Sequence, residues 1–480
     1  MNYGEISFGE ISYGKTCQGA FMGIFIGRTE ELHALRSKAA DTGFKMAVIY
    51  GRRRVGKTTL VNHFINDSGC RAISFMAVET GEQELIRMMS NEVVSALTPD
   101  MAEIITLDSF EKIFDYVAKL AVHERIIFFI DEYPYLAKQC PYMNSLLQKY
   151  IDTVFKKTQL YLILCGSMMG SMQDEVLSRS DLELKIPPFN YLETAQFMPD
   201  YTNEEKAVVY GLTSGVAKYI EQFDPKIPLE ENISSQFFNN TGYFTEEQIK
   251  TIVTGDKKNP AVYNSIIAAI ANSHTKYNDI SSTVGIDDIS YYLNNLCVSG
   301  IIEKRVSKKP YYVLSDSMLA FWFRYVRNAL SLINAGRGAL YYERNVKGKM
   351  HEYMGAVFES MAKQYIYKNM GTDELPVFVT DLSEYQSGIK ENNEVKHIEI
   401  DILGTLNKDI ILVGECKFKN ELFGKDEYDG FMDKIKYIRT NDPVRILFSL
   451  SGFSAWVEEQ ADKDSRLILV GIDKMFTEKH

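Results

Sequence analysis

Between residues 25 and 184, short, mainly apolar runs alternate with stretches of helical period. The runs are Lys45-Met46-Ala47-Val48-Ile49-Tyr50, Arg71-Ala72-Ile73-Ser74-Phe75, Ile126-Ile127-Phe128-Phe129-Ile130 and Leu160-Tyr161-Leu162-Ile163-Leu164. A strand with one wet face alternates apolar and polar side chains, whereas unbroken apolarity marks strands covered on both faces. The pattern therefore predicts an α/β unit, a βαβ-type parallel sheet with helices on each side. Pro187-Pro188 ends it, and the chain to about residue 257 reads as all helix, with Thr202-Asn203-Glu204-Glu205 opening one helix as a capping segment. Asn259-Pro260 is a second boundary. Three helices and a short hairpin are expected over 261–325, then a helical connector over about 326–350. From His351 the order reads helix, strand hairpin, helix, strand, helix, strand. The expected organisation is a flexible leader at 1–23, a sheet domain at 24–184, a helical segment at 185–257, a helix-and-hairpin module at 258–330, and a connector with a second α/β domain at 331–480.

Composition narrows the classes. The chain has 480 residues, 45% hydrophobic and 24% charged, which is ordinary for globular proteins with several cores. A net charge of -11 argues against coating nucleic acid through the overall field, but leaves room for a local basic groove. Six cysteines stand singly, with no Cys-x-x-Cys pair, so neither a zinc ribbon nor a disulfide framework is indicated. Free thiols fit a cytoplasmic protein. No apolar run approaches the ~18 residues a membrane helix needs, and the first 20 residues lack the basic start and apolar core of a signal peptide.

Gly51-Arg52-Arg53-Arg54-Val55-Gly56-Lys57-Thr58, followed by Thr59, fits the phosphate-binding pattern G-x-x-x-x-G-K-[ST]. It follows a predicted strand and opens a predicted helix, the setting this loop requires. Its glycines let backbone N–H groups wrap the phosphates of ATP, Lys57 reaches the β- and γ-phosphates, and the Thr58 hydroxyl ligates Mg²⁺. The strand Ile127–Ile130 delivers Asp131 and Glu132 at its C-terminal end, where ligands bind in such sheets. Asp131 would orient Mg²⁺ and Glu132 would position or deprotonate the attacking water. Ser167, after the strand Leu162–Cys165, either senses the γ-phosphate or caps the next helix. Arg179 is a candidate phosphate contact in its own or a neighbouring subunit of an oligomer, or an ordinary surface arginine.

Phe25-Ile26-Gly27-Arg28-Thr29-Glu30-Glu31-Leu32, Gly51–Thr58, Ile130-Asp131-Glu132 and Cys165-Gly166-Ser167 together resemble the archaeal-type ATPase family, in the AAA-like/STAND branch of P-loop NTPases. The resemblance spans about residues 24–230. It implies a helical lid after the sheet and makes Gly27 and Arg28 base or ribose contacts. Relatives carry Gly-x-Pro in the lid, where this chain has Gly215-Val216-Ala217 and so lacks the proline of that nucleotide contact.

Residues 258–330 have the sequence shape of a winged helix-turn-helix. Lys304, Arg305, Lys308 and Lys309 on the wing suit phosphate contact, but the helix opened by Asp287-Asp288 is poor in arginine and lysine. In this family such modules also contact proteins. Val313–Phe323 resembles the junction these ATPases place before their C-terminal domain. In that last domain Glu359 lies on a helix, Asp401 shares a strand face with Glu399, and Glu415 shares one with Lys417. A turn at Asn407-Lys408-Asp409 lets the two strands pair and brings the acids together. Unpartnered carboxylates repel, and Mg²⁺ bound by Asp401 and Glu415 would relieve this, with Lys417 orienting water or stabilising developing phosphate charge. The set resembles the PD-(D/E)XK nuclease fold, and Arg445–Ser454 matches the domain of unknown function fused to these ATPases.

The expected function is an ATPase whose cycle controls a nuclease-like domain acting on DNA or RNA, away from any membrane. The rival is a slow, non-catalytic switch that binds nucleic acid or a protein. A small-molecule kinase shares the P-loop but fits the Asp131-Glu132 pair and the appended domains less well.

Overall fold

The computed structural model describes residues 25–166, 178–245, 259–306, 310–391 and 394–477. The apolar runs become strands β1 (Lys45–Tyr50), β2 (Arg71–Met76), β3 (Ile126–Asp131) and β4 (Leu160–Gly166), joined by β5 (Leu182–Lys185). All pair in parallel in the order β2-β3-β4-β1-β5. The β3 and β4 side chains are buried throughout, as their unbroken apolarity requires. At the edge, β2 buries Ile73 and Phe75 and exposes Ser74 and Met76. Apolar clusters on both faces, one around Phe114 and Phe128 and one around Phe64 and Tyr161, hold the flanking helices. β4 lies between β1 and β3, so the ends carrying Gly51 and Asp131 open on either side of one strand.

After Pro187-Pro188 the chain forms helices Tyr191–Gln196, Asn203–Thr213, Ala217–Ile220 and Leu229–Phe237. The second is capped as its sequence foretells: Thr202 accepts from Glu205 N while Glu205 reaches back to Thr202 N. Helices Pro260–Ala271, Tyr277–Val284 and Ser290–Val298 follow, then the antiparallel hairpin β6 (Ile302–Val306) and β7 (Pro310–Leu314). Helix Ser317–Phe321 continues through a π-turn at Trp322–Val326 toward helix Met350–Asn369.

The second sheet contains β8 (Asp381–Glu391), β9 (Glu394–Leu406), β10 (Asp409–Lys417), β11 (Val444–Ser449) and β12 (Leu467–Gly471), ordered β12-β11-β10-β9-β8. β8, β9 and β10 are antiparallel neighbours, and β10, β11 and β12 are parallel. Asn407 and Lys408 both take positive φ, the backbone of a tight hairpin turn whose twist matches the strands. Helix Met350–Asn369 packs on one face through Val357, Phe358, Met361 and Tyr365. Helices Lys425–Ile435 and Ala455–Lys463 cover the other through Phe431 and Val457. One apolar cluster runs unbroken from Phe189 to Met475, through the helices after the first sheet, the three-helix module and the near face of the second sheet.

Candidate functional sites

The loop after β1 depends on backbone that few residues adopt. Gly51 has φ 153° and Gly56 φ 92°, and Arg54 is also left-handed at 71°. A Cβ on Gly51 would lie 2.4 Å from Ile186 O, so no larger residue fits there. Lys57 Nζ donates to Gly51 O and Arg52 O, at 3.0 Å each, which curls the lysine over the inside of the loop. Thr58 Oγ1 donates to Asp131 Oδ2 at 2.6 Å, and Asp131 Oδ1 accepts from Glu132 N at 2.8 Å. The hydroxyl and carboxylate expected around a cation are therefore already adjacent. Burial, and then the neighbouring Asp131 charge, raises the Glu132 carboxyl above its ordinary range, partly opposed by Lys57 and Arg53. That shift makes it a better proton acceptor.

The other residues expected at this site divide by partner. Arg53 donates to the Tyr135 hydroxyl at 2.6 Å, and Arg54 O accepts from Lys218 N at 3.2 Å, tying the loop to the segment after Gly215. In place of a proline, Ala217 stands 3.7 Å from the position of a Cβ on Gly56. The buried Arg28 guanidinium donates to Pro187 O at 2.5 Å and to Val55 O at 3.4 Å, and lies 4.5 Å over the Phe189 ring. It braces the P-loop against the chain that leaves the sheet, and Gly27 packs beside Glu193. Arg179 is held by the Asp152 carboxylate. Ser167 lies outside the described residues.

In the second sheet, Ile402 pairs with Gly414, which sets Asp401 beside Glu415. Asp401 Oδ2 accepts from Cys416 N at 2.8 Å. Burial, and then the Glu415 charge, pushes Asp401 up to about 6 despite that bond and the lysines Lys417 and Lys434. Glu359 is pushed up to about 8, by burial first and then by Asp401 and Glu384. The Asp401 carboxylate thus acts electrostatically on Glu359, on helix Met350–Asn369, as well as facing Glu415 across the strand pair. The buried Glu415 accepts from Lys417 at 2.7 Å and from Lys434 at 2.7 and 2.9 Å. Among the described residues, no three His, Cys, Asp or Glu side chains stand close enough to hold a metal. The expected acids come together in pairs about Asp401, while Glu415 is neutralised by lysines.

Sequence reasoning missed Lys434, Glu384 and Asp316. Glu384 of β8 accepts from Arg305 of the β6–β7 hairpin, from Lys363 at 2.8 Å and from the Tyr311 hydroxyl at 3.0 Å. One of the expected wing cations is therefore committed to the second sheet. Lys434 and Glu384 carry no local signal, because their partners are distant in the chain. Asp316 lies inside the junction segment Val313–Phe323 singled out by sequence, but neither its capping role nor its ion pair is read there.

Residues 25–223 match the family described as an ATPase domain predominantly from Archaea, and residues 322–429 match a family of archaeal and bacterial proteins of unknown function. Over the first of these spans the chain belongs to that ATPase family and is an ATP hydrolase with a P-loop fold. An uncharacterized protein of Methanocaldococcus jannaschii is 27% identical over 90% of this chain and 100% of its own length. An uncharacterized ATP-binding protein of the same organism is 37% identical over 11% of this chain and 86% of its own. Among solved structures, a Walker-type ATPase of Pyrococcus abyssi is similar over 62% of this chain and 96% of its own, with 18% identity and a TM-score of 0.48. The Aeropyrum pernix Orc1 protein in complex with DNA is similar over 64% and 93%, with 16% identity and a TM-score of 0.36. No helix of the described residues is long and apolar enough to cross a membrane.

Proposed function

We propose that this ATPase uses its nucleotide cycle to control a nuclease-like C-terminal domain acting on DNA or RNA. The observation that carries the reading is the strand register that sets Asp401 opposite Glu415, with Lys417 on Glu415 at 2.7 Å and Glu359 close enough from the helix for its carboxyl to feel Asp401. A divalent cation held by the paired carboxylates Asp401 and Glu415 would relieve their repulsion and supply Lewis-acid activation of a phosphodiester. Asp401 and Glu415 would hold it, Glu359 would share the acidic wall, and Lys417 would orient water or meet charge developing on phosphate. The order of elements, with a helix before three antiparallel strands and parallel strands alternating with helices after them, supports the PD-(D/E)XK likeness. The three helices and hairpin over 260–314 support a winged helix-turn-helix.

At the P-loop, the backbone of Gly51–Thr59 and Lys57 bind the phosphates. Thr58 and Asp131 are adjacent and fit Mg²⁺, and Glu132 takes the proton of the attacking water. The control experiment is cleavage of supercoiled plasmid and of single-stranded RNA with Mg²⁺ or Mn²⁺, with and without ATP. Wild type should cut, and Glu415→Ala and Lys417→Ala should not. No cleavage under any nucleotide condition sinks the nuclease reading.

A second reading is a non-catalytic switch that binds nucleic acid or a protein. Two features favour it: Glu415 is already satisfied by two lysines, and helix Ser290–Val298 exposes Tyr291, Asn294 and Val298 with no arginine or lysine. ATP-dependent binding without cleavage selects this reading.

A further inference from the structure

The segment Val313–Phe323 is singled out by sequence, yet takes no part in the chemistry above. Its Asp316 is 2% exposed and fully used. Oδ1 caps helix Ser317–Phe321 by accepting from Met318 N at 2.9 Å, and accepts from the Ser214 hydroxyl at 2.6 Å. Oδ2 accepts from the guanidinium of Arg52. Arg52 is the second residue of the P-loop, 264 positions away in sequence. Its carbonyl is one of the two that hold Lys57, and its side chain also lies 5.9 Å over the Tyr219 ring. Arg52 is thus gripped at both ends, by Lys57 at the carbonyl and by Asp316 at the guanidinium.

Those grips matter because the loop's backbone is unusual. Left-handed and extended-positive conformations at Gly51, Arg54 and Gly56 persist only where the surroundings over-determine them. Phosphates that draw Lys57 off the carbonyls leave the Arg52 side chain as the remaining tether at that point of the loop. Burial alone would lower the Arg52 guanidinium, but Asp316 and Tyr219 outweigh it, so the arginine stays charged and paired.

We propose that Asp316 is a positioning residue of the nucleotide site: it fixes Arg52 and so the phosphate cradle, from outside the stretch that matches the ATPase family. The same carboxylate caps the helix that opens at Ser317, whose carbonyl accepts from Tyr353 of helix Met350–Asn369 at 2.8 Å. Nucleotide affinity therefore depends on the junction segment, and by reciprocity the junction responds to nucleotide. The proposal rests on the ATPase assignment and is independent of any chemistry at the second sheet.

The test uses the full chain. Asp316→Asn keeps a side-chain oxygen that caps the helix as well as aspartate does, but removes the charge facing Arg52. Arg52→Met removes the other partner and leaves the cap, and Arg52→Lys keeps the charge. ATP Kd, KM, kcat and Tm are measured for these variants, for Asp316→Asn/Arg52→Met, and for wild type, whose binding and turnover report separately on the ATPase assignment. Asp316→Asn and Arg52→Met should each raise Kd and KM about tenfold, the loss of one buried charge-assisted bond, with a smaller change in kcat; Tm should stay near wild type in Asp316→Asn and fall in Arg52→Met, which leaves the buried Asp316 carboxylate without its cation. The double variant should be no worse than either single one, and Arg52→Lys should recover part of the loss. Wild-type Kd and KM in Asp316→Asn, or penalties that add in the double variant, overturn the proposal.

Discussion

Lys434 Nζ stands 2.7 and 2.9 Å from the two carboxylate oxygens of Glu415. The lysine comes from a helix and the acid from β10, so a cation of the protein itself sits where a metal would need the same oxygens. Lys434→Gln should therefore tighten Mn²⁺ binding several-fold, read by calorimetry on the full chain. Unchanged or weaker binding would show that Lys434 does not compete for Glu415.

Lys57 carries the phosphate affinity. Its ammonium now donates to two loop carbonyls and would transfer to nucleotide. Lys57→Ala should weaken ATP binding about 100-fold, the scale of two charge-assisted bonds. A fluorescent-nucleotide titration checks this, and binding equal to wild type would refute the site.

Glu132 should separate binding from turnover. Glu132→Gln keeps size and polarity but cannot take a proton, so kcat should fall roughly 10²–10⁴-fold while ATP Kd stays close to wild type. Loss of affinity with an unchanged kcat would assign Glu132 a different role.

Glu359 should govern part of the pH response of stability. Its folded pKa lies near 8, above the ordinary 4.5. The folded state therefore keeps a proton that the unfolded chain releases, and stability falls as pH rises from about 4.5 to 8. The contribution is fully present below the lower value and lost through the upper one. In EDTA, Glu359→Gln should raise Tm by a few degrees at pH 8 and leave it unchanged at pH 4.5. Equal shifts at both pH values would show that ionisation is not the cause.

Much of this architecture is legible in sequence where the signal is local. Unbroken apolarity gave β1, β3 and β4, while the four residues of β5, Leu182–Lys185, alternate too briefly to stand out. Asn407-Lys408-Asp409 announces its turn through polar residues led by an asparagine, which tolerates positive φ. The loop Gly51–Thr58 and the acids after β3 declare themselves by spacing. Pairings such as Arg52 with Asp316, or Arg305 with Glu384, have no local signature, because both members are ordinary charged residues until the chain folds.

The apolar cluster that runs from Phe189 to Met475 bears on how the molecule is made. Tyr191, in the first helix after the P-loop sheet, donates its hydroxyl to Met475 O at 2.8 Å, and Asn203 of the next helix bonds Asp473 at 2.7 Å. Those helices cannot reach their final packing while residues 473–475 are still inside the ribosome. A nascent chain can complete its first parallel sheet and the helices that flank it early, but the helices after Pro188 keep an open apolar face until the segment around Met475 emerges. Synthesis thus separates the sheet that carries the P-loop, whose core closes on itself, from the helices after it, whose core is shared with the last segment made.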